Sequence, residues 1–187
     1  MPPNMPPYFF VFDVESVGLQ GVGFAAGWVV IDPSGKEHGS GLFACHLAAA
    51  VEVVDGEDVL WCQQHVIPAL AATMDKLISV PDPKALRISF WSHWQQWKQR
   101  GAVMVADCPW PVEARFLHAC IDTRFGNRRM AGDFDGPYPL IDVASVRMAK
   151  GLDPLEAGER LPGELPAHNP MMDARQSARL LIEALNL

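Results

Sequence analysis

The run Tyr8-Phe9-Phe10-Val11-Phe12-Asp13-Val14 constrains this chain more than any other stretch. Residues 8–14 are so densely apolar and aromatic that they read as a buried strand, one that belongs in the middle of a sheet. The run is broken by Asp13 and Glu15. Side chains alternate along a strand, so these two carboxylates point to the same face. Side by side at the end of a central strand they repel each other, and burial makes the repulsion worse. A divalent cation resolves the conflict by taking the carboxylate oxygens as ligands. A strand end frayed into water resolves it as well, and the pair alone does not decide between the two.

The rest of the chain supplies the partners that such a strand needs. With 187 residues, 49% of them hydrophobic, the chain suits one domain with a sizeable core. Residues 1–7 read as an extended, solvated arm because of their prolines, and residues 8–187 as a single domain. Residues 22–31 and 37–44 read as two further strands around the turn Asp32-Pro33-Ser34-Gly35, giving an antiparallel meander. A helical region follows from about Asp58 to Ile78, kinked or split at Pro68. Asp82-Pro83 reads as a cap with proline at the first helical position; that helix carries Leu86, Phe90, Trp94 and Trp97 and stops at Gly101. A buried strand is expected at 102–106, a helix from Pro111, a short strand at 138–141 and a helix capped by Asp142. A Gly-, Pro- and Glu-rich loop spans 151–169, and a last helix runs from about Met171 to Leu185. This order predicts an α/β fold, a mixed five-stranded sheet flanked by helices.

Net charge −7, from 22 acidic and 15 basic residues, argues against a protein that coats nucleic acid with a broad basic face. It is compatible with carboxylates gathered around metal ions, whose charge they would offset. Cys45, Cys62, Cys108 and Cys120 form no CxxC pair and read as buried reduced thiols rather than a zinc site. No apolar run is long enough to span a bilayer, and no signal peptide is recognisable, so a cytoplasmic location with no membrane partner is expected.

Two other segments could carry chemistry. In Ala167-His168-Asn169-Pro170-Met171-Met172-Asp173 the final helix begins. Asp173 lies one turn before Ser177 on the stripe that Leu180, Leu181 and Ala184 bury, so its carboxylate points inward. His168 precedes it on a loop, and an imidazole can accept a proton near neutrality. The bland reading is a dipole-favoured helix-terminal Asp beside a surface His. In Val105-Ala106-Asp107-Cys108-Pro109-Trp110-Pro111-Val112-Glu113-Ala114-Arg115-Phe116-Leu117, Asp107 ends a buried strand and Glu113 sits in the first turn of a helix, pointing inward. Each serves equally well as a structural cap.

Taken together and in this order, the three segments resemble the DEDDh exonucleases of the ribonuclease H-like superfamily, which include ribonuclease T, oligoribonuclease and the polymerase proofreading subunit. Asp13-Val14-Glu15-Ser16-Val17-Gly18-Leu19 resembles the first motif, close to the D-x-E-T-T-G-L spacing. His168 and Asp173, with four residues between them, resemble the third. The second motif departs from the pattern: residue type favours Asp107, whereas the register before Phe116-Leu117 favours Glu113, slightly the better candidate. The likeness runs from Phe9 to Leu185. It implies a ribonuclease H-like fold and a 3′→5′ exonuclease releasing nucleoside 5′-monophosphates from single-stranded RNA or DNA ends. It also implies two Mg²⁺ or Mn²⁺ ions: Asp13 would bridge both, Glu15 and Asp173 would hold the water-activating one, and Glu113 or Asp107 the other side. His168 would be the general base, with Ser16 at the terminal sugar and Leu19 as an apolar wedge. Small free-standing members are often homodimers, and a dimer is expected here. A binding module without activity, or an endonuclease or phosphodiesterase on the same fold, are the alternatives.

Trp91, Trp94 and Trp97 recur at helical spacing and read as core rather than as a base-stacking stripe. Arg124, Arg128 and Arg129 read as a solvated basic run, and His65, His93 and His118 as structural.

Overall fold

The computed structural model describes residues 5–51, 56–126 and 135–186. The strands are β1 (Tyr8–Ser16), β2 (Gly23–Ile31), β3 (Glu37–Ala44), β4 (Leu77–Ser79), β5 (Ala102–Ala106) and β6 (Leu140–Asp142). The helices are α1 (Glu57–Ala71), α2 (Pro83–Lys98), α3 (Val112–Phe125), α4 (Val143–Ala149) and α5 (Pro170–Leu185). Among the described residues the strands form one mixed sheet in the order β4-β3-β2-β1-β5-β6.

β1 lies between β2 and β5, where an aromatic run that tolerates no solvent on either face belongs. It pairs antiparallel with β2, from Phe9↔Ile31 to Ser16↔Gly23, and parallel with β5, from Tyr8↔Ala102 to Val11↔Val105. Its alternation divides the core in two. Phe9 and Val11, with Ala25, Val29 and Ile31, pack against α1 and α5. Phe10, Phe12 and Val14, with Ala26, Trp28 and Val30, pack against α2 and α3. Trp91 and Trp94 are buried in this second layer, so the tryptophan stripe is core.

The sheet has six strands among the described residues rather than the five expected from sequence. The extra strand is β4, which pairs parallel with Leu42–Ala44. The sequence pattern carries the helical reading through to Ile78, but α1 ends at Ala71. Three residues are too few to display a strand period, and a parallel pairing is visible only when its partner is known. Pro68 lies within α1 without splitting it. The N-terminal arm also departs from the expectation of full solvation, because Met5 packs against the α1/α5 layer. Cys45, Cys62 and Cys120 are buried, whereas Cys108 is exposed, on a loop residue with φ of 47°. Among the described residues no helix is long and apolar enough to cross a membrane.

Candidate functional site

Asp13 and Glu15 continue the row of Phe9 and Val11, so they face the α5 side of the sheet. The parallel pairing of β1 with β5 stops at Val11, and the strand projects beyond it. On the other side Asp13 pairs with Gly27. A Cβ at Gly27 would lie 2.1 Å from Met171 N and 2.3 Å from Pro170 C, so a missing side chain lets the first turn of α5 lie directly on the sheet. Asn169 caps that turn by accepting from Met172 N–H at 3.3 Å. Its amide nitrogen donates to Ala69 O (3.1 Å) and Thr73 Oγ1 (2.7 Å), tying α5 to the end of α1. Asp173 sits in the turn fixed this way. One oxygen from each of Asp13, Glu15 and Asp173 then lies within 4.8 Å of the others.

Glu113 approaches from α3, on the opposite face. It is buried in the first turn of that helix and reaches the projecting part of β1, where Val14 N–H donates to its Oε1 at 3.3 Å. Its charge acts on both Asp13 and Glu15. The Asp107 carboxylate groups with Cys108 and Asp142, and its charge acts on Glu113. Asp142 is already engaged as the cap of α4, accepting from Ala144 N–H and Ser145 N–H at 3.2 Å and from Cys108 N–H at 3.1 Å. Of the two second-motif candidates, Glu113 therefore stands beside the three-carboxylate cluster and Asp107 beside a helix cap.

The cluster is electrostatically loaded. Desolvation pushes the Asp13 carboxyl well above the usual range, and Glu113, Asp173 and Glu15 push it further. Desolvation, followed by Asp173 and Glu113, raises Glu15 to about 8. Glu113 is raised to about 7, mainly by desolvation. Asp173 is raised by desolvation too, against the opposing pull of Arg160 and His168. Arg160 Nη1 lies 2.5 Å from Asp173 Oδ1, yet this buried oxygen has no aligned hydrogen-bond partner among the described residues.

His168 is exposed, with φ of 60°, immediately before the Asn169 cap. Its ring meets Trp61 edge-on at 4.9 Å and lies 6.0 Å from His65. A cavity of about 350 Å³ opens beside it, lined by Glu15, Ser16, Leu19, Asp58 and Trp61 among others. Leu19 projects into solvent there, 67% exposed. Ser16 Oγ donates to Gly18 O at 2.7 Å, bracing the turn that presents Leu19. That turn needs glycine: Gly18 has φ of 66°, and a Cβ would meet Asp58 Oδ2 at 2.3 Å.

Sequence reasoning missed Trp61, His65 and Arg160 as neighbours of this site. Trp61 did carry a signal, since it lies exposed on an α1 face opposite buried Val59, Cys62 and Val66. His65 follows it by one helical turn and reads from sequence as structural, a reading that His93 does fit, packed as it is between Trp28 and Phe43. Arg160 comes from a loop without periodicity and carried none. Of the basic run, Arg124 lies in the last turn of α3, and Arg128 and Arg129 lie outside the described residues. Compared with known proteins, the chain matches no family model, and no curated protein matches it.

Proposed function

We propose that this chain is a metal-dependent 3′→5′ exonuclease of the ribonuclease H-like DEDDh type, releasing nucleoside 5′-monophosphates from single-stranded RNA or DNA. The observation that carries the reading is the convergence of Asp13, Glu15 and Asp173, from both ends of the chain, to within 4.8 Å of one another. The ribonuclease H-like reading is supported by the sheet itself. Without the edge strand β4, five strands remain, an antiparallel β3-β2-β1 meander continued by β5 and β6 parallel to β1.

The donor set fits two hard divalent cations. All the candidate ligands are carboxylate oxygens, the chemistry that Mg²⁺ and Mn²⁺ select. Desolvation raises all four carboxyl groups, and repulsion from their neighbours in the cluster raises Asp13 and Glu15 further. Asp13, Glu15 and Asp173 would hold the ions, with Glu113 supporting the far side. Bound there, they would offset the carboxylate charge and stabilise the attacking and leaving oxygens of an in-line displacement.

The chain's own side chains account for the remaining tasks. His168 stands exposed beside Asp173, where its imidazole can take the proton of an attacking water. Leu19 and Trp61 flank the cavity that adjoins Glu15, and both present apolar surface on which a terminal base can rest. A second cavity, about 440 Å³, shares Val112 with the first and is lined by Arg87, Trp110, Arg115 and His118. Its cationic side chains suit the phosphates of the upstream strand. Two copies of the chain would extend this surface, and pairing into a homodimer belongs to the proposal.

Arg160 favours one rival, a nucleic-acid-binding module without turnover, in which the guanidinium neutralises the carboxylates permanently. The deciding experiment is digestion of 3′-labelled and 5′-labelled RNA and DNA oligonucleotides with Mg²⁺, Mn²⁺ or EDTA. Stepwise loss from the 3′ end, abolished by EDTA and restored by either ion, is expected. Full activity in EDTA overturns the metal reading, and binding without cleavage in every condition supports the rival.

A further inference from the structure

Arg160 stands out among the cations of this molecule. Among the described residues, no other Lys or Arg forms an ion pair with Asp13, Glu15, Glu113 or Asp173. Its placement is built rather than incidental. The segment leading to it is fastened through its backbone carbonyls: Arg147 donates to Asp153 O (3.2 Å) and Glu156 O (2.7 Å), Gln176 to Ala157 O (3.3 Å) and Arg179 to Glu159 O (3.2 Å). Arg160 Nη1 itself donates to Glu164 O at 3.0 Å. Glu164 is buried and held by Arg179 through contacts of 2.6 and 3.0 Å. The guanidinium is thus steered onto Asp173 Oδ1, 2.5 Å away.

The carboxylate that it holds is also one that the proposed metal site requires, since an oxygen of Asp173 lies within 4.8 Å of one of Asp13 and one of Glu15. A hard cation would sit roughly 2.0–2.6 Å from a carboxylate oxygen. With Nη1 at 2.5 Å from Oδ1, its positive charge and that of an ion held by the same carboxylate would be separated by no more than about 7 Å. At that separation, in a partly desolvated pocket, they repel strongly. Both also compete for one carboxylate.

We propose that Arg160 is the resident counter-ion of the carboxylate site, occupying Asp173 until a divalent cation displaces it, so that this side chain sets the threshold for metal loading. The proposal rests on the metal reading above. It gives the cluster a neutralising charge before loading and makes loading an exchange of one cation for another. The segment carrying Arg160 remains fastened by Arg147, Gln176 and Arg179 during that exchange, so the movement is confined to the side chain.

The test is titration of Mn²⁺ into metal-free protein, followed by calorimetry and by the electron paramagnetic resonance signal of free Mn²⁺. The chains compared are wild type, Arg160→Gln, Arg160→Met and Arg160→Lys. Removing the charge in Arg160→Gln and Arg160→Met is expected to tighten Mn²⁺ binding by about tenfold, equivalent to roughly 1.4 kcal/mol. Arg160→Lys keeps the charge and is expected to stay near wild type. Binding by the two neutral variants that equals or falls below wild type overturns the proposal, since that is what a mere brace for Asp173 would give. If wild type binds Mn²⁺ with unchanged affinity in all variants, this inference fails and the metal reading stands. If neither wild type nor any variant binds Mn²⁺, both fail together. Binding that emerges only in the neutral variants supports the inference in its strongest form.

Discussion

At Asp13, desolvation and three neighbouring carboxylates act in the same direction. The residue therefore weakens the metal-free fold while forming the centre of the proposed site. Asp13→Asn keeps the shape and removes the charge. Turnover is expected to fall by orders of magnitude, while the midpoint of thermal unfolding in EDTA rises. The rise should be roughly 2–4 °C for each 1 kcal/mol of repulsion relieved in a domain of this size. Scanning calorimetry with and without Mn²⁺ checks both signs; near-normal turnover would place the chemistry elsewhere. The second motif gives a paired comparison. Glu113 acts on Asp13 and Glu15, whereas Asp107 faces Cys108 and Asp142. Glu113→Gln retains an acceptor for Val14 N–H but loses the negative charge, so turnover should collapse. Asp107→Asn should leave turnover within a few-fold of wild type. The opposite ranking in steady-state kinetics would return the second-motif role to Asp107.

The decisive element contact is that of α5 with β2. Asp173 reaches Asp13 because Gly27 has no side chain and the first turn of α5 rests where a Cβ would be. Gly27→Ala forces Met171 N and Pro170 C away from the sheet. Overpacking of this kind costs about 1–3 kcal/mol. The thermal midpoint should fall, and Mn²⁺ affinity should fall with it, because Asp173 moves with the helix while Asp13 and Glu15 do not. A variant that loses stability yet binds Mn²⁺ like wild type would separate the site from this packing. α1 has a comparable role on the other flank. Ala69 O and Thr73 Oγ1 receive the Asn169 amide, and Trp61 on the same helix meets the His168 ring. One helix thus anchors the loop that carries the proposed base and lines the adjoining cavity.

For the molecule as a whole, the raised carboxyl groups link stability to pH. Glu15 holds its proton to about 8 in the fold against an ordinary 4.5, and Glu113 to about 7 against the same value. Between those limits the folded chain binds more protons than the unfolded one, so stability falls as pH rises. The stabilising effect of protonation is complete below about 4.5 and is lost as pH climbs through about 7 to 8. Metal-free protein is therefore expected to melt lower at pH 8.5 than at pH values near 6, about the reverse of a chain whose carboxylates are all paired. Saturating Mn²⁺ should flatten or invert the trend, because the ion favours the ionised carboxylates. Thermal melts across this range, in EDTA and in Mn²⁺, measure it. A metal-free midpoint that rises from pH 6 to 8.5 would mean that the cluster does not govern the linkage.

Local patterns were enough to determine a large part of this protein. The strand β5 at 102–106 follows from its apolar run, and the start of α2 follows from Asp82, which accepts from Ala85 N–H, with Pro83 behind it. The strand period alone puts Asp13 and Glu15 on one face, and the helical stripe alone turns Asp173 inward. These features need no knowledge of what lies across the sheet. The remainder depends on which elements cross, and tertiary structure decided it. β4 exists because Leu42–Ala44 offers a parallel partner. Glu113 rather than Asp107 stands by the cluster because α3 reaches around the point where β1 outruns β5. Trp61 meets His168 because Asn169 ties two distant helices together, and Arg160 meets Asp173 because helix side chains fasten the loop carbonyls before it. Periodicity reports the side of an element on which a residue lies; the identity of its neighbour is set by packing between segments far apart in the chain.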